Sequence, residues 1–174
     1  MSKCTLLIFI FFTFNFSAQT IFDLARTGNT DSMKLFLDQH PEQINLQSEQ
    51  GTTPFLLACY RGNNDVAILL AQRGAELKSC FLEGSALYAV IYKNNIEMLN
   101  YMLQNGVGAN DSCQFQQLGY PIHFAINLKR YDAIELLIKN SANLKVKDQQ
   151  GKSITELILL YNDEKLSNLL KDEK

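Results

Sequence analysis

Few residues of this sequence have the type and spacing that catalysis requires. Gly151-Lys152-Ser153 matches the end of a phosphate-binding loop, but Val146 stands where that loop needs its first glycine. The two histidines, His40 and His123, lie in distant segments of the chain, whereas acid–base catalysis needs groups within hydrogen-bond reach. We therefore expect a protein that is not an enzyme.

Metal and cofactor chemistry have no better support in the sequence. The two histidines and four cysteines lack the paired spacing of His/Cys metal sites, and no Asp/Glu pair recurs at a metal-like spacing. The formal net charge is −2, from 16 basic and 18 acidic side chains, which excludes a chain-wide basic footprint for nucleic acid or anionic lipid. We expect no cofactor, no metal, no nucleic-acid partner and no small-molecule substrate.

The first eighteen residues have the order of a secretory signal. Lys3 supplies a positive charge, and an apolar run of eleven residues from Leu6 to Phe16 leads to the small residues Ser17 and Ala18. This run is about half of the ~20 residues that a membrane-spanning helix needs. We predict cleavage after Ala18 and a periplasmic or secreted protein. Because Phe16 is bulky where the cleavage site favours a small residue, the alternative is a protein anchored in a membrane by residues 4–18.

The remaining sequence repeats one unit. Clear copies begin at Thr53 (TPFLLACYRGNNDVAILLAQRGAEL), Ser85 (SALYAVIYKNNIEMLNYMLQNGVGAN) and Tyr120 (YPIHFAINLKRYDAIELLIKNSANL). Weaker copies begin at Gln19 and Ser153, so successive copies are offset by 34, 32, 35 and 33 residues. A fixed period of this size predicts a solenoid, in which each unit stacks on the next.

Each unit is expected to form two short helices. In the second unit Thr53 is a good N-cap, and Pro54 sits at the first helical position, where its missing N–H costs nothing. The first helix is expected to end near Arg61, and the second at Gly74 in a left-handed conformation. Isolated helices shorter than about 12–15 residues are marginal in water. The stack, and not the single unit, is therefore expected to fold.

These residues resemble the ankyrin repeat, above all Gly51-Thr52-Thr53-Pro54-Phe55-Leu56-Leu57-Ala58 and Gly74-Ala75-Glu76-Leu77. The resemblance implies an all-α solenoid of helix-turn-helix repeats with β-hairpin fingers. In such a solenoid the first helices and the fingers line a concave surface. It divides the chain into a signal peptide, residues 1–18, and a repeat domain, residues 19–174, with repeats at approximately 19–48, 49–80, 81–113, 114–148 and 149–174.

The same resemblance implies partner contacts in the fingers and in the two residues that follow the small pair of each first helix. The candidates are Arg26, Glu49, Gln50, Thr52, Tyr60, Arg61, Phe81, Glu83, Tyr92, Lys93, Phe115, Gln116, Gln117, Asn127 and Leu128. Tyr60 and Tyr92 share one slot in consecutive repeats, and tyrosine and arginine dominate binding hot spots. The alternatives are that both tyrosines pack as ordinary core edge and that Phe115 pins its own long finger.

Three cysteines follow the leader. Cys59 lies beside Ala58 on the apolar side of a first helix and is expected to be a small core residue. Cys80 and Cys113 are one repeat period apart, in successive fingers, and export would expose them to oxidising conditions. A Cys80–Cys113 disulfide is one hypothesis. We favour two unpaired thiols, because stacked repeats can hold Cα atoms beyond the ~7 Å limit for a bridge.

The sequence thus predicts a non-catalytic, exported module that binds another protein through its concave face and finger loops. A narrower alternative is a dedicated inhibitor, or immunity-type neutraliser, of an exported enzyme or toxin. A further alternative is a membrane-tethered scaffold if the leader stays in place. The mild net acidity fits a basic partner.

Overall fold

The computed structural model describes residues 20–81, 84–111, 113 and 119–170, so the predicted leader lies outside the described residues. Within this part the chain forms ten short α-helices and one pair of two-residue strands. The elements are α1 (Ile21–Thr27), α2 (Thr30–Gln39), α3 (Pro54–Arg61), α4 (Asn64–Gln72), β1 (Cys80–Phe81), β2 (Gly84–Ser85), α5 (Ala86–Tyr92), α6 (Ile96–Gln104), α7 (Pro121–Asn127), α8 (Tyr131–Lys139), α9 (Ile154–Tyr161) and α10 (Glu164–Leu169).

The helices are arranged as five pairs in two layers. Each odd-numbered helix is joined to the next helix by a turn of two or three residues. The first helices α1, α3, α5 and α7 contact one another in succession, and second helices contact each other as α2 with α4, α6 with α8 and α8 with α10. This architecture confirms the all-α, helix-turn-helix solenoid expected from the repeat period.

Side-chain caps begin several of these helices as the sequence predicts. The Thr53 hydroxyl accepts a hydrogen bond from the backbone N–H of Leu56, and Pro54 occupies the first turn of α3. Thr20 and Ser153 form capping boxes with acidic residues, Asp23 and Glu156 respectively. Such caps accept hydrogen bonds from backbone N–H groups that have no partner inside the helix. Each cap typically stabilises the folded protein by about 1 kcal/mol.

The turn after a second helix needs a left-handed residue. Gly74 takes this position after α4 with φ +93°, and Gly106 takes it after α6 with φ +90°. After α8 the same position belongs to Ser141, whose φ is +63°. A side chain in this region costs about 1 kcal/mol, which Gly avoids.

The predicted β-hairpin fingers are mostly tight turns. β1 and β2 pair antiparallel, with Cys80 opposite Ser85. Lys147 and Ser153 form an isolated bridge around another turn. The turn before α3 is closed by a hydrogen bond from the Ser48 N–H to the Thr52 carbonyl, at 2.9 Å. Almost no strand is therefore needed to connect successive helix pairs.

One continuous cluster of buried side chains runs through the stack, from Ile21 in α1 to Leu170 after α10. Polar side chains also join neighbouring pairs: the Asn63 amide donates to the Ala25 carbonyl at 2.8 Å, and Arg130 donates to the Tyr92 carbonyl at 2.8 Å. Among the described residues no helix has the length and apolarity to cross a membrane. Burial against the next pair is thus what holds helices of six to ten residues.

Candidate functional site

One slot near the end of the first helix is exposed in every pair. It is occupied by Arg26, Tyr60, Tyr92, Asn127 and Leu160. The core-facing positions of the same helices are buried, so the exposure belongs to this face of the stack. Repetition of one exposed slot at one period gives a row of side chains along the solenoid.

Tyr60 and Tyr92 present much of their rings to solvent. Their exposed fractions are 45% and 48%, which separates them from the fully buried residues of α3 and α5. The Lys93 ammonium lies 4.6 Å from the centroid of the Tyr60 ring and 5.9 Å from that of Tyr92. Cation–π attraction of this kind contributes about 0.5–1 kcal/mol at exposed sites and holds the three side chains together.

Between these tyrosines and α7 lies a hollow of about 300 Å³ that we call the aromatic groove. It is lined by residues of three consecutive helix pairs: Thr52, Leu56, Leu57, Tyr60, Ser85, Tyr88, Ala89, Tyr92 and Phe124. The lining is mainly apolar and aromatic and carries no charged side chain. Mainly apolar concavities with a few polar groups are the usual shape of binding sites.

Tyr88 and Phe124 form the buried side of the aromatic groove. Tyr88 is 2% exposed, and its hydroxyl donates to the Gly119 carbonyl at 2.7 Å. The Tyr88 and Phe124 rings lie 5.4 Å apart in a tilted arrangement. Burial raises the pKa of Tyr88 well above its ordinary value, and the neighbouring Tyr120 raises it further by a smaller amount. The phenol therefore stays neutral.

Of the predicted contact residues, Thr52, Tyr60 and Tyr92 line the aromatic groove, whereas Leu56, Leu57, Ser85, Tyr88, Ala89 and Phe124 were not among the predictions. A helical spacing of four residues signals part of this set, because Leu56 precedes Tyr60 by four and Tyr88 precedes Tyr92 by four. Phe124 carries no such local signal, since the stacking of α7 on α5 brings it to the groove.

The other predicted residues are spread around the aromatic groove. Arg26 is exposed and pairs with Asp23 at 2.9 Å, while Arg61 is exposed and has no ion pair within the described part of the chain. Asn127 accepts a hydrogen bond from the Tyr161 hydroxyl at 2.8 Å. Leu128 caps α7 and is half-buried.

The structure describes only some of the predicted finger residues. Glu49 and Gln50 are exposed in the turn before α3. Phe81 ends strand β1. The remaining finger predictions lie outside the described residues: Glu83, Phe115, Gln116 and Gln117.

Cys80 and Cys113 are joined by a disulfide in the structure. Their Cα atoms are 5.5 Å apart, so our favoured expectation, that stacking holds them too far apart for a bridge, is wrong. The bridge ties β1 to the loop that follows α6. Cys59 is fully buried in α3 as the sequence predicts, and burial raises the pKa of its thiol far above the usual range.

His123 is fully buried at the start of α7, beside the groove residue Phe124. Neither of its ring nitrogens has a hydrogen-bond partner of good geometry among the described residues. Burial lowers the pKa of His123, against a smaller opposing effect of Asp148 and the Val146 backbone. The imidazole is therefore neutral and acts as a core side chain. Among the described residues no three His, Cys, Asp or Glu side chains come together in a cluster that could hold a metal ion.

Short helix pairs stacked in two layers at a constant period define a class of proteins, the helical-repeat scaffolds. The model of one such family, described as ankyrin repeats in three copies, matches residues 21–113, more than half of the chain. The chain belongs to the ankyrin-repeat family. Ankyrin repeats are general protein–protein interaction modules, and the family is typically non-catalytic. That the fourth and fifth helix pairs are repeats of the same family stays a prediction.

The chain is also similar to several curated proteins, over different lengths. Ankyrin repeat and SAM domain-containing protein 6 of Rattus norvegicus is 32% identical over 88 residues, covering 49% of this chain and 10% of that protein. Target of rapamycin complex 2 subunit AVO2 of Saccharomyces cerevisiae is 27% identical over 156 residues, which cover 84% of this chain and 35% of that protein. Transient receptor potential cation channel subfamily A member 1 of Homo sapiens is 25% identical over 138 residues, which cover 75% of this chain and 12% of that protein. The chain therefore spans well under two thirds of each relative.

Proposed function

We propose that this chain is a non-catalytic module that binds one protein partner through the aromatic groove and the exposed first-helix slot beside it. The observation that carries the proposal is the pair of half-exposed tyrosines, Tyr60 and Tyr92, at the edge of a mainly apolar hollow. Tyrosine buries a large area at a small entropy cost, so such a pair contributes strongly when a partner covers it. A core-edge role would leave less of either ring in solvent.

We further propose that the module works outside the cytoplasm, after removal of residues 1–18. The order of residues in the leader supports export, and the Cys80–Cys113 disulfide supports an oxidising compartment. If residues 4–18 stay attached, the same groove would belong to a membrane-tethered scaffold. A dedicated neutraliser of an exported enzyme or toxin would be a special case, with a single stoichiometric partner.

The test is capture of a partner from the exported fraction by the mature chain, followed by measurement of the dissociation constant. Tyr60→Ala together with Tyr92→Ala should weaken binding at least tenfold while the melting temperature falls by no more than about 2 °C. Leu35→Ala is the matched control, because Leu35 is 65% exposed on a second helix and should change neither quantity.

Two outcomes contradict the proposal. If the double variant binds the captured partner as tightly as the wild type, the contact surface lies elsewhere. If instead its melting temperature falls by several degrees, Tyr60 and Tyr92 stabilise the core edge.

A further inference from the structure

The two ends of the aromatic groove differ in chemistry. At one end Thr52 and Ser85 lie where α3 and α5 begin, and at the other Tyr60 and Tyr92 lie where these helices end. Ser85 is only 6% exposed, and its hydroxyl has no hydrogen-bond partner within the described residues. A hydroxyl without an intramolecular partner at the wall of an open groove is a group to which a bound segment can hydrogen-bond.

The tyrosine end of the groove is positively charged. Lys93 is held on the Tyr60 and Tyr92 rings, and Arg61 follows Tyr60 directly. Neither Lys93 nor Arg61 forms an ion pair with any residue that the structure describes, and no carboxylate lines the groove. The guanidinium of Arg130 adds positive charge behind them, since it donates to the Tyr92 carbonyl at 2.8 Å.

The length of the groove limits what can lie in it. Helix α5 has seven residues and is therefore about 10 Å long. From Ser85 to Lys93 the chain rises about 12 Å along the helix axis, and an extended chain advances about 3.3 Å per residue, so about four residues span this distance. The hollow of about 300 Å³ between them has room for one large apolar side chain.

We propose that the aromatic groove binds an extended segment of a protein partner in which a carboxylate follows an apolar side chain two residues later, on the same face of the segment. This inference rests on the proposed function and specifies the partner's chemistry. The apolar side chain fills the space above Leu56, Ala89 and Phe124, and the carboxylate pairs with the ammonium of Lys93. Ser85 then hydrogen-bonds to the backbone of the segment.

The proposal reverses the expectation drawn from the net charge. The chain as a whole carries −2, which favours a basic partner, but charges at a contact surface act over about a Debye length of 8–10 Å. Within that distance the groove presents the cations Lys93 and Arg61. Local complementarity therefore favours an acidic segment.

The experiment is a chemical-shift titration of the isotope-labelled mature chain, residues 19–174, with its disulfide intact, by capped tetrapeptides at low salt. Acetyl-Phe-Gly-Glu-Gly-amide should shift the amide signals of Ala89, Tyr92 and Phe124 saturably. Its dissociation constant should be about threefold to fivefold lower than that of the matched Gln peptide, the size expected for one partly exposed ion pair. The Lys peptide should bind more weakly than either.

Two variants test whether the ammonium of Lys93 causes the preference for the Glu peptide over the Gln peptide. In Lys93→Gln the Glu and Gln peptides should bind equally, whereas Lys34→Gln, on an exposed position of α2, should keep the preference. The proposal is overturned if the Glu peptide binds no better than the Gln peptide, if the Lys peptide binds best, if no signal shifts saturably, or if sedimentation shows a second copy of this chain filling the groove.

Failure of this inference is distinguishable from failure of the proposed function. If partner capture depends on Tyr60 and Tyr92 but the peptides show no preference for Glu, the proposed binding function is supported and the proposed acidic segment is wrong. If capture is indifferent to the two tyrosines, the proposed function itself is wrong.

Discussion

His123 shows how a single buried group can make the stability of the whole stack depend on pH. In the folded chain burial lowers its pKa, whereas in the unfolded chain the pKa returns to about 6.5. The unfolded state therefore binds a proton more readily, and stability from the neutral imidazole is present above about pH 6.5 and lost as the pH falls below it. Asp148 reduces this effect because its negative charge favours the protonated ring.

We expect the free energy of unfolding to fall over the pH range just below 6.5, with a slope of at most about 1.4 kcal/mol per pH unit from His123. Urea unfolding at several pH values measures it. His123→Gln should flatten the slope in this pH range. The carboxylates with lowered pKa, such as Asp23 and Asp163, lose their stabilising effect only at lower pH. An equal slope in wild type and His123→Gln would contradict the prediction.

Ser141 has a left-handed backbone at a position that Gly74 and Gly106 occupy in two other pairs. Ser141→Gly should raise the free energy of unfolding by about 0.5–1 kcal/mol, because it removes the steric cost of a side chain at φ +63°. The reciprocal change, Gly74→Ser, is the matched control and should lower it by a similar amount. No atom lies within 4 Å of a Cβ built on Gly74, so the loss would be one of backbone conformation alone. Chemical denaturation of both variants measures these changes in the free energy of unfolding. A lower free energy of unfolding for Ser141→Gly than for the wild type would contradict the prediction.

At the scale of elements, the disulfide decides how β1 and the loop after α6 are held together. It closes a chain segment of 33 residues between consecutive helix pairs, so it restricts the unfolded chain. The covalent link therefore fixes Cys113 beside strand β1.

We expect the double change Cys80→Ser and Cys113→Ser to lower the free energy of unfolding by about 2–4 kcal/mol. Reducing agent should have a similar effect on the wild type and none on the variant, which is the internal control. Thiol titration of the mature chain, residues 19–174, should find one reactive thiol, Cys59, and only after denaturation, because Cys59 is buried. Two titratable thiols in the undenatured mature chain, rising to three after denaturation, would contradict the bridge.

The helix pairs themselves follow from local rules that the sequence displays. Thr53 and Pro54 start α3, and the expected end near Arg61 is correct. The expected end of the second helix at Gly74 is off by two residues, because α4 ends at Gln72 and Gly74 forms the turn. Such shifts arise because the last turn of a helix competes with the capping turn for the same backbone groups.

On the scale of the whole molecule, stability is distributed along the stack. Buried residues of all five helix pairs form one continuous cluster, although no single pair buries a core of its own. Each helix pair contacts its neighbours, so the groove between α3, α5 and α7 exists only in the assembled stack. Binding at the groove should therefore stabilise three pairs together.

Export is a prediction about the whole chain. We expect mass spectrometry of the protein from the exported fraction to give the mass of residues 19–174, with the mass lowered further by two hydrogens for the Cys80–Cys113 bridge. The cell-associated precursor, which retains residues 1–18, provides the reference mass. Full-length protein in the membrane fraction would support the anchored alternative, and full-length protein in the cytoplasm would contradict export.

The repeat period, the helix starts and the shared slot of Tyr60 and Tyr92 were determined by the sequence alone, because capping, turn chemistry and a constant spacing act over a few residues. The tertiary structure decided three other features. It placed Cys80 within bonding distance of Cys113, it brought Phe124 and Tyr88 to the groove, and it set Lys93 on the ring of Tyr60. Each of these depends on how far one pair is displaced and rotated against the next. That displacement is set by side-chain packing between pairs, which no local pattern records.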